Sequence, residues 1–509
     1  MAKYSLGIEL GSTRIKAVLV DEKNKPISKG EETWSASFEN GIWTYDISRA
    51  WDGLKTALKA VSYRDEIGAV GISGMMHGYL VFDENWNLLV PFRTWQNTIT
   101  AQAAAELTEK LQFNIPQRWS VAHLYQALLN QEEHVPQIAH VTTLSGWVHY
   151  MLTGVNAVGL GEASGMFPVD SNAMDYDETK VQIFNDLASQ RGLKRSLREV
   201  FPKVLKAGEI AGTLTEDGYA RLDGLLPLGV PFAPPEGDAG TGMVATNAVM
   251  PRTGNVSAGT SIFAMLVMDK ALSRVYEEID MVTTPAGKPV AMVHCNNCTG
   301  DMNAWVSVLE STAQLFGAQP NKNELYTKLY ELALQGDADC GGVITCNYLA
   351  GEGITHMDSG RPLVIRRPNS KFTLPNFIRS QLYSTMATMH LGMRILEAEG
   401  VKITSLTGHG GLFKTPVVGQ KLMAAACNAD VTCMETAGEG GPFGMALLAS
   451  YMQHKTDGET LEEFLEKRVF AQAKSTTLAP TQEDVDGFRA YMERYEAMLH
   501  TEQTAIETF

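Results

Sequence analysis

An α/β fold built from two similar domains is predicted by three features of this sequence. The chain has 509 residues, and a single hydrophobic core stops growing at roughly 250–300 residues, so we expect at least two domains. Apolar strand-like runs alternate with stretches of helical periodicity. One strand–turn–strand pattern occurs twice, near the N-terminus and just past the middle of the chain. This repeat indicates that one domain plan was duplicated.

The two copies of the pattern occupy residues 4–21 and 254–269, and their turns are Gly11-Ser12-Thr13 and Gly259-Thr260-Ser261. Small and hydroxylated residues in such a turn let backbone N–H groups approach a phosphate, which bulkier side chains would prevent. Each turn alone is better explained as an ordinary hairpin turn, but the duplication favours two phosphate-binding loops. Lys16, just past the first turn, is either a charge for the same phosphate or an exposed strand lysine.

Local patterns predict the elements around these turns. They are a strand over 26–34, a helix from about 46 to 61, a buried strand over 67–72, a hairpin over 81–91, and helices over 98–111, 121–133, 145–153, 382–399 and 417–427. Four prolines cluster between 227 and 235, and this composition shift is the best candidate for a domain boundary. We therefore place an N-terminal domain at 1–245 and a C-terminal domain at 246–509.

Charge and composition exclude several classes of function. The 42 Lys and Arg against 58 Asp and Glu leave a net charge of −16, and so acidic a surface repels nucleic-acid phosphates and anionic lipid. No apolar run reaches the ~18–20 residues that cross a bilayer, and no secretory segment opens the sequence. Six cysteines are too few for a disulfide framework, and Cys295-Asn-Asn-Cys298 lacks the second pair that a structural zinc needs. We expect a cytoplasmic protein with small-molecule partners.

Three further segments carry side chains suited to chemistry. Asp238 stands among glycines ahead of a helix-like run, where a carboxylate either accepts a hydroxyl proton or caps the helix. Met76-His77 follows the buried strand, and such loops carry binding residues more often than strands do, although a structural histidine is the alternative. Trp95 and Asn97 combine an aromatic face with an amide, as suits a polyol, and a tryptophan in the core is the alternative.

In this order, these motifs resemble the FGGY family of carbohydrate kinases, and within it the xylulokinases, over nearly the whole chain. Besides the first turn, the resemblance is carried by Gly74-Met75-Met76-His77-Gly78, Trp95-Gln96-Asn97, Gly237-Asp238, Ser257-Ala258-Gly259-Thr260, Gly408-His409-Gly410-Gly411 and Gly444-Met445-Ala446. It implies two actin-like, ribonuclease-H-like ATPase domains flanking a catalytic cleft, with MgATP on one side and the sugar on the other.

The resemblance also implies a reaction and its residues. Asp238 would be the base for phosphoryl transfer from ATP to a hydroxyl of a ketose, D-xylulose or a related pentulose. Sugar contacts would come from Met76, His77, Trp95 and Asn97. The ATP contacts would come from Gly11, Ser12, Thr13, Lys16, Gly259, Thr260, Ser261, Gly410 and Gly411, and Glu9 would contact Mg²⁺. A homodimer is left open as the assembly.

Several positions depart from the family pattern. Glu9 replaces an aspartate and is one methylene longer, which moves its carboxylate by roughly 1.5 Å. Asn97 and Ile99 stand where an aspartate and an arginine are usual, and His123 stands at the place of a lysine. The segment Gly351-Glu352-Gly353 lacks the usual arginine. These changes leave the fold and the ATP site intact but leave the sugar open.

Rival functions follow from those departures. Within the family, the alternatives to D-xylulose are ribulose, another ketose, a sugar acid and a polyol. A degenerate kinase would bind sugar and ATP as a sensor without turnover. An actin-like or chaperone-like ATPase acting on protein partners is a different class, and Asp238 together with His77 argues against it because such an ATPase needs neither.

Overall fold

The structure, a computed structural model, describes residues 3–509 as a mixed α/β chain. The strands are β1 Tyr4–Leu10, β2 Arg14–Val20, β3 Pro26–Thr33, β4 Ser37–Glu39, β5 Ile42–Thr44, β6 Ile67–Gly74, β7 Leu80–Phe82, β8 His140–Thr142, β9 Ala157–Gly159, β10 Val169–Asp170, β11 Asp175–Tyr176, β12 Lys203–Leu205, β13 Glu236–Gly237, β14 Thr253–Ala258, β15 Ile262–Val267, β16 Asp280–Thr283, β17 Pro289–Cys295, β18 Val343–Cys346, β19 Leu363–Arg366, β20 Ser405–His409, β21 Asp430–Met434 and β22 Ser475–Leu478.

The α-helices are α1 Arg49–Ala60, α2 Ala101–Leu111, α3 Ser120–Leu129, α4 Leu144–Thr153, α5 Leu160–Ala163, α6 Glu178–Ser189, α7 Leu197–Val200, α8 Glu216–Arg221, α9 Asp238–Ala245, α10 Gly300–Leu315, α11 Lys322–Ala333, α12 Leu374–Ala398, α13 Val418–Cys427, α14 Gly440–His454, α15 Leu461–Phe464 and α16 Gln482–Thr508. Within residues 3–509, no helix is long and apolar enough to cross a membrane.

The chain divides into two compact units that each use separate stretches of sequence. The first unit comprises residues through Pro251, 274–290 and 439–473, and the second comprises 252–273, 291–438 and 474–509. The chain therefore leaves the first unit after Pro251 and returns to it twice, at Arg274 to add β16 and at Glu439 to add α14 and α15. The single boundary expected after residue 245 stays a prediction.

The first unit is centred on a five-stranded sheet in the order β13-β6-β1-β2-β3. All eight residues of β6 are buried, as is typical of a strand covered on both faces. β1 and β2 are antiparallel, and their register sets Glu9 opposite Lys16. β6 runs parallel to both β1 and β13, so the carboxyl ends of β6 and β13 meet at one edge of the sheet.

Six strands of the second unit pair in the order β17-β15-β14-β20-β21-β22. β14 and β15 form the predicted antiparallel pair around the turn at 259–261, and β20 runs parallel to β14 with His409 beside Ser257. This register brings the end of β20 to the same edge of the sheet as that turn.

Most of the predicted elements occur within a few residues of their expected bounds, with two exceptions. The hairpin expected over 81–91 is formed only in part: Phe82 makes an antiparallel bridge with Leu88 and the Leu89 N–H donates to Val81 O at 3.0 Å, but the strand that pairs with β7 is β8. α12 begins well before the predicted 382, after the cap Thr373. Its first turns bury polar residues such as Arg379, which forms an ion pair with Asp484, and these residues hide the apolar periodicity.

Candidate active site

The edge where β6 and β13 end brings the predicted base next to the predicted sugar loop. Gly74, the last residue of β6, pairs with Gly237, the last residue of β13. Asp238 follows Gly237 directly, and Met76 comes two residues after Gly74. The Met76 N–H donates to Asp238 Oδ1 at 3.4 Å. The two motifs, which are 162 residues apart in sequence, therefore lie in contact.

Asp238 is the first residue of α9, and Gly237 rather than Asp238 occupies the N-cap position. Asp238 as a residue is partly exposed, but the surrounding protein desolvates its carboxyl group and raises the pKa of that group to about 6. Backbone N–H groups, that of Met76 foremost, lower the pKa again without cancelling this effect. A carboxylate with a pKa near the working pH is suited to accept a proton from a hydroxyl.

Glu9 on β1 is a second acid whose ionisation is disfavoured. Burial and then the charge of Asp238 raise the pKa of Glu9 to about 7, while Lys16, its partner across the strands, lowers it. The first turn of α14 closes over this carboxyl group, since a Cβ at Gly441 would lie 1.6 Å from Glu9 Oε2. This carboxylate suits Mg²⁺, which commonly takes one or two carboxylates and substrate phosphates as ligands. A bound cation would also offset the repulsion between the charges of Glu9 and Asp238.

A buried carboxyl pair, Glu162 and Glu236, lies behind the base, and sequence reasoning missed it. Glu236 Oε2 accepts the Glu162 N–H at 2.8 Å and Glu236 Oε1 accepts the Gly161 N–H at 3.3 Å. Glu162 Oε1 accepts from Ser145 Oγ at 3.1 Å, but Glu162 Oε2 has no hydrogen-bond partner among the described residues. Desolvation raises the pKa of each to about 8. No local motif marks these acids, because their burial depends on β13 lying beside α5.

His77 is held in a strained and neutral form beside Met76. Its backbone has φ +69°, a conformation that a non-glycine residue rarely adopts. Burial, reinforced by the nearby charge of Arg118, lowers the pKa of His77 to about 3. His77 Nδ1 lies 2.9 Å from Gly165 O. Because a carbonyl only accepts, Nδ1 carries the hydrogen and Nε2 is left as an acceptor. The imidazole can thus accept a hydrogen bond from a hydroxyl.

Trp95 and Asn97 have different surroundings in the first unit. Trp95 is 38% exposed, and its Nε1–H donates to Ser12 Oγ at 3.4 Å, so its ring lies beside the first turn. Asn97 is 3% exposed. Its Oδ1 accepts the Trp43 N–H at 2.8 Å, and its Nδ2 donates to Trp43 O at 2.8 Å and Thr94 O at 3.0 Å. A sugar contact by Asn97 stays a prediction, and these backbone hydrogen bonds do not favour it.

His123, at the place of the family lysine, is buried in α3. Neither of its ring nitrogens has a hydrogen-bond partner among the residues that the structure describes. Burial lowers its pKa to about 3, and its ring stacks on Tyr79 with centroids 6.1 Å apart. This position therefore carries a neutral aromatic group.

The three carbonyl groups of the first turn all accept hydrogen bonds from neighbouring residues. Trp34 Nε1–H donates to Gly11 O at 2.6 Å and Tyr45 Oη–H donates to Ser12 O at 2.7 Å. The Trp34 backbone N–H donates to Thr13 O at 3.1 Å. In a trans peptide the N–H points away from the preceding C=O, so the Ser12 and Thr13 N–H groups face the other way. Among the described residues, neither of these two N–H groups has a hydrogen-bond partner.

In the second unit, two of the predicted ATP segments are in contact. Gly410 follows β20 with φ +95°, and a Cβ there would lie 2.5 Å from Ala258 O, the last residue of β14. Only glycine fits this approach, which sets the loop at 410–411 against the turn at 259–261. The predicted site residues thus form one group in each unit, and their roles stay predictions.

Comparison with known proteins identifies the family. The N-terminal domain of the FGGY family of carbohydrate kinases matches residues 4–245 and its C-terminal domain matches residues 254–453. Xylulose kinase of Haemophilus influenzae is 23% identical over 515 residues, which cover 96% of this chain and 98% of that protein.

Solved structures share the fold across the whole length. A xylulose kinase from Rhodospirillum rubrum has a TM-score of 0.81 at 16% identity and covers 99% of this chain and 100% of its own. A gluconate kinase from Lactobacillus acidophilus has a TM-score of 0.79 at 16% identity and covers 98% of both chains. The predicted two-domain, actin-like fold is confirmed. The chain belongs to the FGGY family of carbohydrate kinases, and it is a sugar kinase.

Proposed function

We propose that this kinase transfers the γ-phosphoryl group of MgATP to a hydroxyl of a neutral ketose, D-xylulose or a closely related pentulose. The proposal rests chiefly on the contact between the Met76 N–H and Asp238 Oδ1. That contact brings a carboxylate with a pKa of about 6 to the loop that carries His77, whose Nε2 is free to accept a hydrogen bond from a hydroxyl. A proton acceptor next to a hydroxyl-binding group is what a sugar kinase needs.

In this mechanism, Asp238 takes the proton of the sugar hydroxyl as that oxygen bonds to the γ-phosphorus. The bond from this phosphorus to its bridging oxygen breaks, and ADP leaves with the electron pair. His77 Nε2 and the Met76 side chain orient the sugar, and the N–H groups at 12–13 and 260–261, with Lys16, bind phosphate oxygens. Mg²⁺, held by Glu9 and the phosphates, would neutralise the charge of the transferred group.

A neutral sugar is favoured over a sugar acid by the charges around His77. The nearby cation is Arg118, and it forms an ion pair with Asp280. A carboxylate on the substrate would have to compete with Asp280 for that guanidinium. The relatives support the same choice, since proteins named xylulose kinase match nearly the whole chain at 20–25% identity.

The experiment is a coupled ADP-release assay with purified protein against D-xylulose, D-ribulose, other ketoses, glycerol and gluconate. We expect the highest kcat/KM for a pentulose. A higher value for gluconate would overturn the neutral-sugar assignment, and nucleotide binding without turnover on any sugar would identify a sensor instead of a kinase.

The six free cysteines fit a reducing compartment, so we include the cytoplasm in this proposal. A homodimer stays a prediction, and sedimentation velocity would test it.

A further inference from the structure

The turn at 259–261 is held by a short segment from elsewhere in the second unit. Gly259 O accepts two hydrogen bonds from Thr299, one from its backbone N–H at 3.1 Å and one from its Oγ–H at 2.7 Å. Thr260 O accepts the Cys298 N–H at 2.9 Å. Two successive carbonyl groups of the turn therefore point at the same segment.

This arrangement fixes where the N–H groups of the turn point. Each is trans to the preceding carbonyl across a planar peptide, so the N–H groups of Thr260 and Ser261 point away from Thr299. Among the described residues, neither has a hydrogen-bond partner. Two adjacent N–H groups without partners in an accessible turn form a concavity of the kind that binds anions.

The hydroxyl of Thr299 is used in an unusual way. Thr299 occupies the N-cap position of α10, yet its side chain accepts no hydrogen bond from the helix. A threonine at this position normally accepts an N–H from the first turn, which stabilises the helix. Here the hydroxyl donates to the turn at 259–261 instead. The hydroxyl of Thr299 therefore supports the turn rather than the helix.

The segment that carries Thr299 is itself anchored by a buried acid. Glu352 is 2% exposed, and its Oε2 accepts the Asn296 N–H at 3.0 Å, the Asn297 N–H at 3.4 Å and Asn297 Nδ2–H at 3.2 Å. Asn347 Nδ2 donates to Cys298 O at 2.7 Å. Hydrogen bonds thus hold the segment 296–299 at both ends, to Glu352 at Asn296 and Asn297 and to the turn at Cys298 and Thr299.

We propose that Thr299 and Glu352 are positioning residues for the nucleotide: they orient the Thr260 and Ser261 N–H groups toward a phosphate group of ATP. This inference rests on the proposed function. Neither side chain touches the phosphate in this account, because each acts through the turn. Removing the Thr299 hydroxyl should therefore weaken nucleotide binding and leave sugar binding unchanged.

The test compares Thr299→Val, which removes the hydroxyl at constant shape, with Thr299→Ser, which keeps it. Calorimetry with MgATP in the absence of sugar measures binding, and steady-state kinetics gives KM for MgATP and for D-xylulose separately. We expect Thr299→Val to weaken MgATP binding about three- to tenfold, as the loss of one hydrogen bond predicts, with KM for the sugar unchanged. Thr299→Ser should retain most of the wild-type affinity.

The matched control is Thr312→Val on α10, whose exposed hydroxyl donates to Val308 O at 2.9 Å. It makes the same substitution away from the turn and should bind MgATP as the wild type does. Glu352→Leu removes the acceptor for the Asn296 and Asn297 N–H groups and should weaken MgATP binding, as Thr299→Val does. Glu352→Gln keeps such an acceptor and should bind MgATP nearly as well as the wild type.

The outcomes separate this inference from the proposed function. Wild-type affinity of Thr299→Val for MgATP would overturn the positioning role alone. An equal loss of affinity for MgATP and for the sugar, together with a lower Tm, would also overturn it, because such a result indicates a structural role. A wild-type protein that binds no nucleotide overturns the proposed function and this inference with it. Selective loss of MgATP affinity in Thr299→Val, with recovery in Thr299→Ser, supports it.

Discussion

The turn at 11–13 in the first unit and the turn at 259–261 in the second share one backbone arrangement but are held by unrelated groups. In both, two successive carbonyls are bonded from behind and the next two N–H groups lack partners among the described residues. Aromatic side chains, Trp34 and Tyr45, hold the first turn, whereas Thr299 and the Cys298 N–H hold the second. The two turns thus share an N–H orientation although different groups support them.

The two turns also differ in what surrounds them. A Cβ at Gly11 would lie 3.2 Å from Arg14 O and 3.3 Å from Glu9 Oε1, but one at Gly259 would have no atom closer than 4.0 Å. The first turn therefore lies against an acid of the same unit that contains Asp238, while the second opens to solvent. This difference agrees with the proposal that the first unit carries the chemistry and the second binds nucleotide.

The largest expected effect comes from Asp238→Asn in the first unit. The amide keeps the size of the side chain but has almost no proton affinity, so turnover should fall by ~10²–10⁴. MgATP affinity should change little, because both turns keep their supporting groups. Single-turnover kinetics and calorimetry measure the two quantities, and near-normal turnover would show that Asp238 is not the base.

Gly259→Val should give the next largest effect, on nucleotide affinity alone. Because the protein leaves the position open, the added side chain obstructs a phosphate without straining the fold. We expect at least about a tenfold loss of MgATP affinity, equivalent to roughly 1.4 kcal/mol, at unchanged Tm. Unaltered affinity would mean that the second turn does not meet the nucleotide.

The pH dependence of kcat/KM tests the chemistry assigned to the first unit. Desolvation raises the pKa of Asp238 to about 6, and the base works only when ionised. Activity should therefore fall about tenfold per pH unit below 6 and reach a plateau above it. Initial rates at low sugar concentration between pH 5 and 8 provide the profile, which a flat result would contradict.

Tyr45→Phe probes the support of the first turn, as Thr299→Val probes that of the second. The change removes one hydrogen bond to Ser12 O and should weaken MgATP binding about two- to tenfold. Tyr63→Phe, at a ring that is 56% exposed, is the control. If Tyr45→Phe binds MgATP normally, the first turn does not depend on its aromatic support as the second depends on Thr299.

The smallest effect concerns the buried acids, through stability rather than catalysis. Burial raises the pKa of Glu162 to about 8, so the folded protein favours the protonated, neutral form of this carboxyl group. The free energy of unfolding therefore includes the full contribution of Glu162 at low pH and loses it as the pH rises through 8. Glu162→Gln stays neutral, and its Tm relative to wild type should rise by about 1–3 °C between pH 6 and pH 9. The exposed Glu178→Gln is the control. Scanning calorimetry would contradict this if the Tm difference were independent of pH.

Much of the site was predictable because its motifs are local. Gly11-Ser12-Thr13 and Gly259-Thr260-Ser261 are turns for reasons of size and hydroxyl content, and the strands beside them follow from apolar runs. The placement of Asp238 after a strand was visible in the same way, although the helix begins at Asp238 itself. Asn97 was not predictable, since its amide is satisfied by the backbone of Trp43, which is distant in sequence.

By itself, the sequence determined the order of the motifs and the family, because periodicity and turn composition act over a few residues. The tertiary structure decided which groups support those motifs. The Trp34 indole reaches Gly11 across 23 residues, Thr299 reaches Gly259 across 40, and Glu352 reaches Asn297 across 55. Only the packing of distant segments brings such partners within hydrogen-bonding distance. Burial then decides their charge, because desolvation depends on every chain segment packed around a carboxyl group.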